Sequence, residues 1–375
     1  MFIHDGKKIY NVVFTGGPCG GKTSSMASIS EFLRAQGHGV VIVPETARLV
    51  IANAFPDIDR FAVNEHERYL GIQEAMLRMQ MVLYSSSLRF AKLRPESTVV
   101  LLHDRSFLDN QAYLRSGRED FDRIANAVGA SRYELLGMFD GVIHLVTAAD
   151  GAETHYARDF ERQDSLERAR ELDRLTLEAW YGTTHLAVID NSTDFNGKLF
   201  RARQALAGIV GIPVPVEIER KFLVRSVDRN GSFMETAVAS FIEQMYLDAP
   251  EGEEDRIRMR GRDGAWCYYR TSKRNIRPGM RSETERHISC GDYNELSSRL
   301  RPGTDVIYKE RFCGVHKGQY FELDFFNRPD GLVVLEAELT EEGQMISIPP
   351  DIEIDREVTG DPAFSNYGIA RQLAA

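Results

Sequence analysis

The chain has 375 residues and carries 46 Lys and Arg against 56 Asp and Glu, a net charge of −10. Its length predicts two domains, each with its own core, and its acidity argues against a mainly electrostatic binder of nucleic acid or anionic membrane, leaving small phosphorylated partners. Four cysteines without paired spacing, a polar start over residues 1–8 and the lack of a long apolar run are expected of a cytoplasmic protein with reduced thiols, no signal segment and no membrane span.

In chain order, the apolar Ile9 to Phe14 predicts a buried strand. Ser24 to Gln36 predicts a helix, with Met26, Ile29, Phe32 and Leu33 at helical spacing and Gly37 as its stop. Between them, Gly16 and Gly21 stand with four residues between and are followed by Lys22 and Thr23, the spacing of a phosphate-binding loop. Gly16, Gly17, Gly20 and Gly21 let the backbone curl so that N–H groups point at phosphate oxygens. Lys22 then reaches the β and γ phosphates of ATP, and the Thr23 hydroxyl holds Mg²⁺.

The short strand Val40 to Val43 ends at Glu45 and Arg48, at the strand end where ligands bind in parallel sheets. Glu45 and Arg48 suit a second substrate or a metal-bound water, and a solvated ion pair is the alternative. A long helix over about residues 64–93 carries Leu70, Ile72, Met76, Met79, Met81 and Leu83 as packing residues. The strand Thr98 to Leu102 delivers Asp104 to the same edge, where a carboxylate holds the metal from the far side, with Arg105 and Asp109 in reach. Asp104 and Glu45 are the catalytic candidates of this half. Gly141 to Val146 and Leu186 to Asp190 read as further strands, and Ser165 to Trp180 as a helix. Arg158 and Arg162 are candidates to reach the transferred phosphoryl group. Alternating strands and helices predict an α/β fold with a parallel sheet.

The phosphate loop, Pro44-Glu45-Thr46-Ala47-Arg48, Asp104-Arg105-Ser106 and Asn191-Ser192-Thr193-Asp194-Phe195 resemble the AAA-type ATPase domains related to nicotinamide riboside kinases. The resemblance spans about residues 9–208 and implies a nucleoside-kinase-like P-loop NTPase fold.

Two glycines and two prolines between Gly208 and Pro215 mark a linker, which sets a first domain at 1–210 and a second at 211–375. The period then changes. Glu217, Glu219 and Lys221 alternate with Val216, Ile218 and Phe222. Later strands group Arg256, Arg258 and Arg260, then Glu283 and Glu285, then Lys309 and Arg311, then Glu336 and Glu338. Acidic and basic sets on many strands predict an antiparallel β-barrel with a polar lumen, and a sandwich with solvent-facing ion pairs is the alternative.

The pattern Glu217-x-Glu219-x-Lys221, with Arg256-Ile257-Arg258, Lys273, Glu283-x-Glu285, Lys309-x-Arg311, Asp324, Glu336-x-Glu338 and Glu357-Val358-Thr359-Gly360-Asp361, resembles the CYTH superfamily, the triphosphate tunnel metalloenzymes. The resemblance covers about residues 213–372. It implies that Lys221, Arg256, Arg258, Lys273, Lys309 and Arg311 bind triphosphate. It also implies that Glu217, Glu219, Asp324, Glu336 and Glu338 hold Mg²⁺ or Mn²⁺ or activate water, with Glu219, Glu338 and Lys221 as catalytic candidates. The expected activity is ATP binding in the first domain and hydrolysis of inorganic triphosphate or a related short compound in the second. Adenylyl cyclase or thiamine triphosphatase chemistry, and a non-enzymatic polyphosphate sensor, are the alternatives.

Overall fold

The computed structural model describes residues 2–4, 6–156, 165–212, 218–250, 253–262, 264–277, 280–339 and 344–374. The chain divides into two compact units, Met1–Arg203 and Gln204–Ala375. The division falls inside the helix Phe195–Val210, so Gly208 continues a helix that was expected to have ended, and Gly211, at φ 70°, lies just beyond its last residue.

The first unit holds strands β1 (Phe2–His4), β2 (Lys7–Thr15), β3 (Gly39–Val43), β4 (Thr98–Asp104), β5 (Gly141–Leu145) and β6 (Leu186–Ile189). Five of them form the expected parallel sheet in the order β3-β4-β2-β5-β6, and β1 pairs antiparallel with β2. From Ile9 to Thr15 every residue of β2 is buried. A strand covered on both faces reads as a continuous apolar run, which is why no alternation marked it. The helix His66–Leu93 sets Leu83, Leu88 and Ala91 against Ile9, Val43, Val99 and Leu101. That helix, about 42 Å long, outruns the sheet it covers. Leu70, Ile72 and Met76 are buried, whereas Met79, expected to pack, faces outward. The chain leaves β2 toward β3 and β4 on one side and later fills β5 and β6 on the other. The carboxyl end of β2 is therefore the switch point where a ligand crevice opens, and the phosphate loop starts there.

The second unit holds β7 (Ile218–Val227), β8 (Val238–Leu247), β9 (Glu254–Arg262), β10 (Ala265–Arg277), β11 (Met280–His287), β12 (Ile307–His316), β13 (Gln319–Phe326), β14 (Val333–Leu339) and β15 (Ile352–Glu357). They form one antiparallel sheet in the order β11-β10-β9-β8-β12-β13-β14-β7-β15. Among the described residues no pairing joins β11 to β15, so hydrogen bonding does not close the expected barrel. Alternation decides which side chains share a face, but closure depends on tilt and stagger, which a period of two does not carry. One face buries Phe222, Val224, Phe321, Leu323, Leu335, Ala337 and Ile352. The other is charged, except at one end, where Tyr246, Ile307, Phe326 and Val334 are covered by Ile369 and Ala370 of the helix Asn366–Leu373.

Candidate functional site

Two sites emerge, one in each unit. In the first, Gly16 at φ 134° and Gly21 at φ 85° take backbone conformations that side chains disfavour. A Cβ on Gly16 would collide with the Leu145 carbonyl oxygen, and one on Gly21 would stand 2.7 Å from the Phe195 ring. The glycines are thus required by close backbone approach as well as by dihedral angle. Lys22 opens the helix Lys22–Ala35, whose Gly21 cap supplies no side-chain hydrogen bond. Its first N–H groups have no partner within the helix, which makes this terminus a natural anion site. The Lys22 ammonium donates to the Gly16 and Gly17 carbonyls at 3.1 and 2.9 Å. Burial, and then Arg105, lower Lys22 to about 7.

Beside the loop, β3 and β4 deliver Glu45, Asp104 and Arg105 together. Arg105 Nε lies 3.1 Å from Glu45 and Nη1 3.5 Å from Asp109, while Arg48 Nε meets Glu45 at 2.9 Å. Asp109 also accepts from the Thr15 hydroxyl. Burial raises the Asp104 carboxyl and neighbouring Glu45 adds to it. Burial would raise Glu45 too, but Arg105, Lys22 and Arg48 outweigh it and leave Glu45 lowered. Asp104 Oδ1 is buried with no hydrogen-bond partner among the described residues, and Thr23 is exposed in the first turn of the helix. An orphan carboxylate oxygen and a hydroxyl near a phosphate loop suit Mg²⁺, which takes few protein ligands and keeps water and phosphate oxygens. Among the described residues no group of three His, Cys, Asp or Glu is placed to hold a metal by itself.

In the second unit, register assembles the site. Directly opposed residues of an antiparallel ladder share a face. Lys221 faces Glu336, Glu336 faces Glu322, and Asp324 faces Arg311. Arg311 faces Ser240, Ile242 faces Arg260, Gln244 faces Arg258 and Tyr246 faces Arg256. Arg256 in turn faces Thr271, which faces Glu285, and Lys273 lies on the same face two residues along. Lys309, opposite Ile242, joins them, so seven bases among the described residues from Lys221 to Arg311 share one face.

Its densest part is a buried ion network. Arg311 reaches Asp324 with Nε at 2.6 Å and Nη2 at 2.5 Å, contacts Glu322, and lies 3.3 Å from Glu336. Lys309 Nζ lies 2.5 Å from Asp324 and donates to Asn366 at 3.0 Å, and Lys221 Nζ lies 3.0 Å from Glu336. Burial lowers Lys309 to about 8, with Asp324 opposing. Burial would also raise Asp324 and Glu336, but the surrounding bases outweigh it and hold both carboxyls below the usual range. Asp324 is fully enclosed by Lys309 and Arg311. That geometry makes it a counter-charge that fixes two bases. Burial, then the neighbouring Arg256, lower Arg258, whose Nε is buried without a hydrogen-bond partner among the described residues. Glu219 lies 3.8 Å from Lys221 with half its side chain exposed, and Glu338 stands opposite it in register. Glu219 and Glu336 each approach Lys221 from their own strand, so both carboxylates stand beside the same base.

Arg158, Arg162 and Glu217 lie outside the described residues, as do the side chains of Glu283 and Glu338. Sequence reasoning missed Asp173 and His144, which bond beneath the phosphate loop, and Asn366 on the charged face. Asp173 carried a readable signal, since it falls on the same helical face as buried Ala169, Thr176 and Leu177. Asn366 carried none, because it depends on where the last helix docks.

No curated protein matches the chain. Solved structures of NE1496, one described as an inorganic triphosphatase and one as a hypothetical protein, are 30% identical and have TM-scores of 0.31 and 0.32. The matches cover 42% of this chain and 96% and 98% of theirs. The PH1819 protein from Pyrococcus horikoshii OT3 is 23% identical over 34% of this chain and 80% of its own, with a TM-score of 0.27. The family model described as AAA domain matches residues 11–198, half of the chain. With the phosphate loop at the switch point of a parallel sheet and that match around it, the chain belongs to the AAA domain family.

Proposed function

We propose that this chain is a two-part phosphate enzyme, with ATP and Mg²⁺ bound at Gly16 to Thr23 in residues 1–210 and a short triphosphate compound hydrolysed on the charged face of residues 211–375. The observation that carries the second activity is the crowding of Lys221, Arg256, Arg258, Arg260, Lys309 and Arg311 on one face, dense enough that a neighbouring arginine helps to lower Arg258. Like charges held this close favour a compact anion with several charges. Inorganic triphosphate fits that description.

Lys309 and Arg311 are fixed by Asp324, so they meet the anion with little loss of side-chain freedom. Arg258 and Arg256 bind the other end of the same chain of phosphates. Glu219, Glu336 and Glu338 would hold a divalent cation, which lowers the pKa of water and polarises the phosphoryl oxygen. Glu336 is already ionised by Lys221 and Arg311, so it presents a charged oxygen at neutral pH. In the first unit, Lys22 and the helix N-terminus bind phosphate, while Asp104 and Thr23 would hold Mg²⁺.

The test is to incubate the full chain with inorganic triphosphate, thiamine triphosphate or ATP, with Mg²⁺ or Mn²⁺, and to resolve the products by chromatography. Phosphate and pyrophosphate from triphosphate are expected. Cyclic AMP from ATP replaces hydrolysis with cyclisation, and tight triphosphate binding without turnover replaces the enzyme with a sensor.

A further inference from the structure

Asp173 sits in the helix Leu166–Ala179 with its side chain 11% exposed, facing the underside of the phosphate loop. Its Oδ1 accepts the Gly17 N–H at 2.5 Å and the Thr147 N–H at 3.0 Å, and its Oδ2 lies 3.1 Å from Nε2 of the fully buried His144 at the end of β5. Thr147 in turn donates its hydroxyl to the Pro18 carbonyl at 2.5 Å, and the Ala148 N–H meets the Cys19 carbonyl at 3.3 Å. The rim of the loop is thus stitched, residue by residue, to the segment that follows β5.

We infer that Asp173 is a positioning residue for the phosphate loop, setting its curl before any ligand arrives; this rests on the nucleotide-binding reading above. A carboxylate this close to a phosphate site opposes the ligand's charge, so its place there needs a geometric return. That return is acceptor capacity. Two backbone N–H groups and an imidazole N–H converge on one residue, and only an ionised carboxylate accepts all three without carrying a hydrogen of its own. Burial would raise this carboxyl, but His144 and the two N–H groups outweigh it and keep Asp173 ionised. The contact also explains a glycine that dihedral angle does not, because a Cβ on Gly17 would stand 2.8 Å from the Asp173 Cβ. With its N–H committed to Asp173, Gly17 shapes the loop, and the phosphates are met by the residues that follow it.

Full-length Asp173→Ala and Asp173→Asn variants test this by titration calorimetry with Mg-ATP and by amide hydrogen exchange over residues 8–22 and 98–104. The Ala variant should bind about tenfold to a hundredfold more weakly. The Gly17 amide should exchange faster while β2 and β4 stay protected. The Asn variant, which keeps one oxygen for the two N–H groups, should fall between it and the wild type. Unchanged affinity together with unchanged Gly17 protection in the Ala variant overturns the inference. Equal loss of protection across β2 and β4 in both variants also overturns it, since Asp173 would then be holding the core rather than the loop. Wild-type protein that ignores Mg-ATP sinks the nucleotide reading instead, and the exchange arm still decides the positioning role.

Discussion

The phosphate loop and the charged face solve the same problem, holding several negative charges, with opposite materials. The loop is built from backbone, with N–H groups, a helix terminus and a single lysine within eight consecutive residues. The face is built from side chains, with bases and acids contributed by β7 through β14 and brought into line by register. The loop's partial charges are fixed by peptide geometry and need no counter-ions. The face must bury full charges, so each base at its centre comes with an acid: Lys309 and Arg311 with Asp324, and Lys221 with Glu336. A backbone site is therefore fragile at its glycines and at its one cation. A side-chain site is fragile wherever an ion pair is buried.

Breaking the buried network should give the largest effect. Arg311→Ala leaves Asp324, Glu322 and Glu336 without their shared partner and should cost about 3–5 kcal/mol of stability. Denaturant unfolding checks this, and a loss under about 1 kcal/mol would mean that the pairs are already well hydrated. Next in size is Lys22→Ala, which removes the loop's lysine at a cost of about 1.5–3 kcal/mol, or roughly tenfold to 150-fold in ATP affinity, with triphosphate turnover by the second unit unchanged. Equal losses in both activities would show that the two sites do not act separately.

Arg258→Ala sharpens the contrast within the charged face. Arg258 is crowded by Arg256 and its Nε has no hydrogen-bond partner among the described residues, so its removal should leave stability within about 1 kcal/mol while raising the KM for triphosphate about tenfold. A large drop in melting temperature at constant KM would make this arginine structural.

At neutral pH the smallest effect lies in the core of the first unit. His103, fully buried beside Asn11, is lowered by burial to about 3. Between that value and an unfolded pKa of about 6.5, the unfolded chain binds a proton that the folded chain refuses, so stability falls as pH falls. The contribution is at most about 1.4 kcal/mol per pH unit. His103→Phe should flatten the stability profile between pH 6.5 and 4, and parallel profiles for both proteins would assign the acid sensitivity to other groups.

The chain's own order of residues determined whatever depends on neighbours along the chain. The loop from Gly16 to Thr23, the buried β2 before it and the helix after it could be read directly, because a backbone site is written in consecutive residues. Alternation likewise placed Glu219 with Lys221, Arg256 with Arg258 and Lys309 with Arg311 on common faces, because a strand's period is fixed by its pleat. Which strand stands beside which was decided only in three dimensions. Ladder order put Asp324 against both Lys309 and Arg311, and among the described residues it made no pairing between β11 and β15 where a closed barrel was expected. The bond from Asp173 to Gly17 spans 156 positions and exists because a helix docks under a loop. No local period encodes such a contact, since it is set by packing between elements that the sequence keeps far apart.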